Sequence, residues 1–424
     1  FDVQPEVIGP PPYNTLCTAK TRVIEPFTLK GAADLPWEEI RNGLRVLVLP
    51  QSAEVMKSLG FEIEEVAPRQ LCLRDFVSPA FAKLDEDDLR EWYGQPRTEQ
   101  PAKCGDEPYG NFVKAKGPQA PRWNYNNALC GFLLRTPDSV GYLPVIEGGF
   151  DGNASAVIRR FVGKGEIIFS TLSTIDRLGL NELKGAPVRD PSARKTQIAI
   201  CDDLLQPAGP VHVRKVYPSG DYAVRLAKSL GLPTLEMGIL PTSVVLCGPD
   251  SELSVNDIVS AVSRGSNVLI VDNRRLAEGL GFKVAEADPS AAVYRVNADP
   301  ANPDLRSIGR NLLRFRASCP FACLSDAPKG WTIDADGMFA SRTYREGGKV
   351  FIAQLDPFRL EDAIKAEKTY VNEKGKSVPM TDKVRKENLR RVDLTITRHR
   401  QFVARLLTLL GVGSGDGPLY SASR

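Results

Sequence analysis

The sequence offers few residues able to do chemistry, and their spacing narrows the choice further. Histidine, the usual base beside a nucleophilic thiol or hydroxyl, occurs only as His212 and His399 in 424 residues. His212 lies near the start of an expected buried strand and His399 sits between Arg398 and Arg400 in a helical pattern, so neither has an evident partner. Of eight cysteines, Cys247 ends an apolar run and precedes Gly248, a place where a strand could present a nucleophile. Pro249 comes next and no His-x-Glu dyad lies downstream, so we read Cys247 as a core thiol. The pair Cys319-Pro-Phe-Ala-Cys323 has a three-residue spacer that fits neither a zinc knuckle nor a thioredoxin-type motif, and no metal site is expected there. Gly-x-Ser-x-Gly, a Walker loop, Gly-x-Gly-x-x-Gly and His-Glu-x-x-His are absent, which removes support for serine-hydrolase, nucleotide and zinc-protease chemistry. No cofactor is expected.

Acids and aromatics leave more room. The two carboxylates of a glycosidase can be distant in sequence, and the acid that stands out is Glu147 in Glu147-Gly-Gly-Phe-Asp151, with Asp151 as its companion. We place Glu147 in a loop ahead of a hairpin, where turn formation by Gly148-Gly149 accounts for the motif equally well. Trp92, Tyr93, Tyr109, Trp123 and Tyr125 gather around one Pro/Gly-rich stretch. Exposed aromatic faces stack on sugar rings, which makes Trp92, Trp123 and Tyr125 candidate glycan contacts. Their competing role is to pin a long loop onto a sheet.

The composition is that of a globular protein with a sizeable core, 42% hydrophobic and 25% charged. A net charge of +3, from 55 basic and 52 acidic residues, gives no footprint for nucleic acid. No apolar run reaches the ~20 residues that cross a bilayer, so no membrane span is expected. Residues 1–20 lack the regions of a signal peptide, and a first residue other than Met fits a processed or truncated product. Eight cysteines are too sparse for a disulfide scaffold.

The elements that must position these residues repeat. Thr21-Arg-Val-Ile-Glu-Pro-Phe27 aligns with Thr242-Ser-Val-Val-Leu-Cys-Gly248, and Leu59-Gly-Phe61 with Leu280-Gly-Phe282, at a separation of 221 residues. Asn42-Gly-Leu-Arg-Val-Leu-Val-Leu49 faces Arg264-Gly-Ser-Asn-Val-Leu-Ile-Val271, each a Gly turn followed by the continuous apolar run of a buried parallel strand. Arg159 to Ser173 matches Arg342 to Asp356 at a separation of 183, each reading as a hairpin with a Gly turn. Apolar-periodic helices, Ala193 to Leu205 and Ile396 to Leu410, close the two copies. The expected fold is therefore α/β: two tandem doubly wound, mostly parallel sheets, each with an antiparallel hairpin extension. We divide the chain into residues 1–209, with an insert at about 95–141, and 210–424, with a charged insert at about 361–391.

The second copy opens with an expected strand, Val211 to Val216, that has no partner in the first. Because the first strand of a doubly wound sheet is normally central, we expect another segment of a longer polypeptide, or another subunit, to supply it. Ligands of such sheets bind at the carboxyl ends of strands. Those ends are Pro50-Gln51-Ser52 and Ser170 to Asp176 in the first copy, and Cys247 to Asp250, Asp272-Asn273-Arg274 and Gln354-Leu355-Asp356 in the second. Gln51 and Asp272 join the candidate ligand contacts on that ground, although solvation alone makes such loops polar.

Arg41 to Gln51, Leu59-Gly-Phe61, Leu89-Arg-Glu-Trp92, Gly141 to Phe150 and Gly163 to Phe169 resemble the class I glutamine amidotransferase-like region of large bacterial proteins related to family-two glycoside hydrolases. Similar α/β modules serve β-galactosidases as trimerisation domains. The resemblance spans Arg22 to Gly209 directly and Val211 to Gly413 through the repeat. It implies a bacterial, periplasmic or secreted setting, with catalysis elsewhere in the polypeptide, and supplies no catalytic residue. The leading expectation is a non-catalytic tandem in a carbohydrate-active enzyme, serving assembly, oligomerisation or glycan contact. Its rivals are a stand-alone glycoside hydrolase using loop carboxylates, and a structural subunit docked through the 361–391 arm.

Overall fold

A computed structural model describes residues 20–74, 78–93, 127–149, 152–183, 186–206, 212–232, 234–235, 238–286, 303–305, 308, 312, 322–334, 337–345, 347–415 and 419–420. Two sheets organise them. The first contains β1 (Thr21–Ile24), β2 (Arg45–Val48), β3 (Ile63–Glu64), β4 (Cys72–Leu73), β5 (Leu133–Arg135), β6 (Tyr142–Gly148), β7 (Ala154–Val162) and β8 (Gly165–Ser170), in the order β1-β2-β8-β7-β5-β3, with β6 on β7 and β4 on β6. β9 (Leu178–Leu183) and β10 (Ala186–Arg189) form a separate hairpin. The second sheet runs β11 (Val216–Ser219), β12 (Val244–Cys247), β13 (Asn267–Val271), β18 (Lys349–Ala353), β17 (Phe339–Thr343), β16 (Thr332–Asp334). β14 (Lys283–Glu286) pairs with β15 (Ala322–Ser325), and β19 (Thr369–Val371) with β20 (Ser377–Pro379).

The parallel strands are apolar on both faces, so each sheet needs helices on both. In the first, α1 (Trp37–Arg41) and α2 (Ala53–Ser58) pack Ile40 and Met56 against Val46, Val48, Ile167 and Phe169. On the other face α3 (Pro191–Leu205) packs Ala199, Ile200 and Leu204 against Leu47 and Ile168. In the second sheet α4 (Asp221–Ser229) shares a face with the C-terminal half of α8 (Asp382–Leu409), while α5 (Val255–Ser263) and α6 (Arg274–Gly279) cover the opposite one. The chain is an α/β protein with mostly parallel central strands.

Four strands are paired alike in the two sheets, β1-β2-β8-β7 in the first and β12-β13-β18-β17 in the second. Val46 lies between Arg22 and Ile167, and Val268 lies between Val245 and Val350. Beyond the last pair of the hairpin, the Thr171 N–H donates to the Ala156 carbonyl and the Gln354 N–H donates to the Met338 carbonyl. Even the cap of the closing helix is shared. Arg45 donates to the carbonyls of Asp203, Leu204 and Gln206 at the end of α3, and Asn267, which holds the same place in β13, donates through Nδ2 to Leu410 O, 2.7 Å away at the end of α8. These are carbonyls that a helix cannot satisfy by itself.

Several expectations need correction. Thr21 pairs with Arg45 as Val244 pairs with Asn267, so the first strands correspond at 223 residues rather than 221. A slip of two restores the same face of a strand, which is why the apolar pattern did not expose it. The opening strand of the second half is β11, after Val211 to Lys215, and it forms an edge of the sheet rather than its centre. The other closing helix begins at Asp382, so its first turns use up part of the charged 361–391 stretch. The rest of that stretch holds most of α7 (Arg359–Ala366) and the β19/β20 hairpin.

The halves are locked together by α8 and the residues after it. Arg405 is fully buried and donates to Tyr142 O and Pro137 O at 2.7 and 3.2 Å, and Gln401 donates to Thr136 O at 2.8 Å. Further on, Ser414 N donates to Phe161 O, and Tyr420 packs on the first core with its hydroxyl donating to Arg135 O. Arg405→Met keeps the apolar stem but strips two buried carbonyls of a charged donor, and should cost about 3 kcal/mol. Urea unfolding tests this, and an unchanged midpoint would show that α8 does not hold the halves together.

Candidate functional site

The carboxyl ends of the first sheet are filled by the chain's own side chains. Gln51 is buried after β2, where Oε1 accepts from Leu29 N at 3.0 Å and Nε2 donates to Glu25 O and Leu49 O at 2.8 Å each. Ser52 caps α2 by accepting from Val55 N. After β8, the Thr174 hydroxyl donates to Gln197 of α3 at 2.5 Å. No hydrogen-bonding capacity of the Gln51 amide nitrogen is left for a ligand, since both its donors are used. Its role is to clamp the Glu25–Leu29 loop.

The second sheet arranges its carboxyl ends differently. Asp250, after β12, accepts from Tyr222 N at 3.0 Å, and Gly248 O accepts from Asn273 Nδ2 at 2.6 Å. Gly220 has φ 94°, and a Cβ there would lie 2.5 Å from Asp250 Oδ1, so only glycine lets α4 approach this loop. Asp272 follows β13 at φ 46°, held by its N–H to Ala353 O at 2.8 Å. Its carboxylate is ion-paired with Arg359, the first residue of α7. Asp356 accepts from the Tyr222 hydroxyl at 2.7 Å and from Phe358 N at 2.8 Å. Burial pushes the Asp272 carboxyl up to about 6, with the Arg359 guanidinium opposing and the Asp356 carboxylate reinforcing the shift. Burial, then Asp356, also pushes the Tyr222 hydroxyl well above its ordinary range. Gln354, cross-strand neighbour to Asp272, is 0% exposed and neither of its amide atoms has a partner among the described residues. The group combines two acids, a phenol and a guanidinium, with one acid held near neutrality, which is the equipment of proton transfer.

The other expected site residues are placed as follows. Glu147 lies in β6, not in a loop; it is 2% exposed and paired with Arg74 at 2.5 Å. Burial raises its pKa against the pull of Arg74, and of Arg405 and Arg398 from α8. Trp92 is not a stacking surface, because its ring is fully buried and its indole N–H donates to Asp88 O at 2.8 Å. Asp151, Tyr109, Trp123 and Tyr125 lie outside the described residues, as does Cys319. Cys247 is buried, its thiol pushed up to about 12 by burial, and His399 is pushed down to about 3 by the same cause. His212 stacks on Phe161 with ring centroids 3.7 Å apart. Among the described residues no three His, Cys, Asp or Glu side chains form a metal cluster, and no helix is long and apolar enough to cross a membrane.

Tyr222 and Arg359 were not singled out in the sequence. The available signals were a helix start after Gly220 and an arginine three residues beyond Asp356, both common in solvated loops. No protein-family model matches the chain, and no curated protein matches it.

Asp272 ordinarily titrates near 3.8 and in the folded chain near 6, so between these values the folded state holds a proton that the unfolded chain has lost. Stability from this group therefore falls as pH rises through that window, by about 3 kcal/mol in all. Asp272→Asn should gain on the wild type, in thermal midpoint, between pH 4 and pH 7. A difference that stays flat with pH would show that Asp272 is not held near neutrality.

Proposed function

We propose that the chain is a non-catalytic tandem of amidotransferase-like modules, divided near residues 209 and 210, within a large carbohydrate-active enzyme, and that it serves assembly and glycan contact. The observation that carries the reading is the state of the strand carboxyl ends. Where such a module would present a nucleophile, Cys247 is sealed in the core, and Gln51, Asp250 and Asp272 are engaged by the chain itself. The common register around Val46 and Val268 supports descent of both halves from one doubly wound unit. In the second sheet β11 covers the outer edge of β12, whereas the equivalent edge of β1 carries no strand among the described residues. A strand from another segment or subunit would be received there. The link to carbohydrate rests on the resemblance of the quoted sequence runs.

A second reading is favoured by one observation, the Asp272–Asp356 group with its acid held near pH 6. In it the chain is itself a glycoside hydrolase. The purified chain, assayed on a panel of aryl glycosides, should show no turnover above buffer. Turnover lost in Asp272→Asn would establish the second reading and overturn the first, and turnover lost in Glu147→Gln would do the same with Glu147 as the acid.

A further inference from the structure

The carboxyl ends of β13 and β18 bring together three oxygens that the described residues leave without a hydrogen bond. Asp272 meets Arg359 through Oδ2, which leaves Oδ1. Asp356 takes both the Tyr222 hydroxyl and the Phe358 N–H on Oδ1, which leaves Oδ2. Gln354 is 0% exposed, and its Oε1 and Nε2 are both unpaired. The Asp272 N–H donates to Ala353 O, so Gln354 follows in register beside Asp272. Asp356 lies two residues further along, the spacing that returns an extended chain to one side. The Asp356 carboxylate repels that of Asp272, and both act on the Tyr222 hydroxyl.

The fold does not call for these groups. Counted from Val46 and Val268, and from the paired N–H groups of Thr171 and Gln354, the same places in the first sheet hold Pro50, Thr171 and Ser173. That sheet is finished there without a carboxylate. In the second, negative charge is in excess. Arg225 is spent on Asp362 through two hydrogen bonds and Arg359 on Asp272, while Asp356 forms no ion pair among the described residues. A partly buried carboxylate with no cation, beside a buried amide with no partner, is costly unless something else meets both.

We propose that Asp272 Oδ1, Asp356 Oδ2 and Gln354 Oε1 bind a hard divalent cation of the Mg²⁺ type, with water completing its coordination. The donors are all oxygen, and one or two carboxylates plus retained water is how Mg²⁺ is commonly held. A neutral polyol could meet the Gln354 amide but would leave the Asp356 charge uncompensated, and two carboxylates repel an anion. Arg359 opposes the cation from the solvent side, so its charge sets the affinity downward. The site depends on neither reading of the function given above.

The test titrates Mn²⁺, a hard cation whose free form is read by electron paramagnetic resonance, into the whole chain above neutral pH, with Mg²⁺ as competitor. A single Mn²⁺ should bind per chain and be displaced by Mg²⁺. Affinity should fall about tenfold in Asp272→Asn and in Asp356→Asn, fall several-fold in Gln354→Leu, and rise several-fold in Arg359→Gln. Asp362→Asn, which removes only the exposed partner of Arg225, should leave it unchanged. No saturable Mn²⁺ binding overturns the proposal. Binding at full affinity in both Asp272→Asn and Gln354→Leu, two substitutions that relieve buried polarity and keep the fold, places the cation elsewhere and overturns it as well. Aryl-glycoside turnover is read separately, so either functional reading can fail while the cation site stands.

Discussion

A parallel strand that is apolar on both faces cannot be finished by the sheet it belongs to, and this constraint places α8. Phe402, Val403, Leu406 and Leu407 close one face of the second sheet, so the helix is required there for burial alone. The same turns present Arg405, Gln401 and Thr408 to the first half, where their partners are backbone atoms of residues 136–142. A guanidinium so deep in the protein is expensive unless its donors are used, and burial draws its pKa down to about 10 against the opposing charges of Glu147 and Asp138. Arg405 remains charged at neutral pH and satisfies carbonyls that the loop would otherwise bury unpaired. Apolar packing and polar satisfaction thus act through successive residues of one helix. Gly141 completes the contact: its N–H donates to Thr408 Oγ1, and a Cβ would lie 2.1 Å from Ser414 N.

A second buried network does for the first sheet what α8 does between the halves. Arg45 on β2 pairs with Glu166 on β8, Arg159 on β7 reaches Glu166 and Asp203, and Ser78 donates to Asp203 at 2.6 Å. Two central strands, the antiparallel extension, α3 and a loop meet in one set of charges. Desolvation would by itself drive Glu166 toward the neutral acid, yet Arg159 and Arg45 hold its pKa below the usual value. Such a network discriminates between arrangements more than it stabilises one, because removing any member strands the others in a poorly solvated site. At the corresponding place in the second sheet Asn267 and the backbone of Lys349 carry the contact with no charge at all. The geometry of the helix cap is common to the two sheets, while its electrostatics differ.

Legibility follows the same physics. Gly turns ahead of apolar runs located β2 and β13, and matched Gly hairpins located β7/β8 and β17/β18, since each depends on local chain geometry. The register of β1 against β12 was not legible, because period two hides an even slip. Strand ends could be read off, so Asp272, Gln354 and Asp356 were among the positions to test; Tyr222 and Arg359 arrive from helices and become neighbours only through packing. Trp92 and Tyr93 show the limit best. They are adjacent and chemically alike, and one is fully buried while the other is 58% exposed.

The two halves also differ in what they leave available to solutes. In the first, the Gln51 amide nitrogen spends both its donors on the loop it clamps, and the Ser173 hydroxyl is buried with no partner among the described residues. In the second, Asp272 is linked to the outside through Arg359, about a third exposed, and the Gln354 amide has no partner among the described residues. Unsatisfied polarity beside an acid whose ionised form is disfavoured by burial costs stability. Gln51 and Gln354, both amides at strand ends, mark the contrast: the first is spent holding a loop, and the second is buried with its polarity unmet among the described residues.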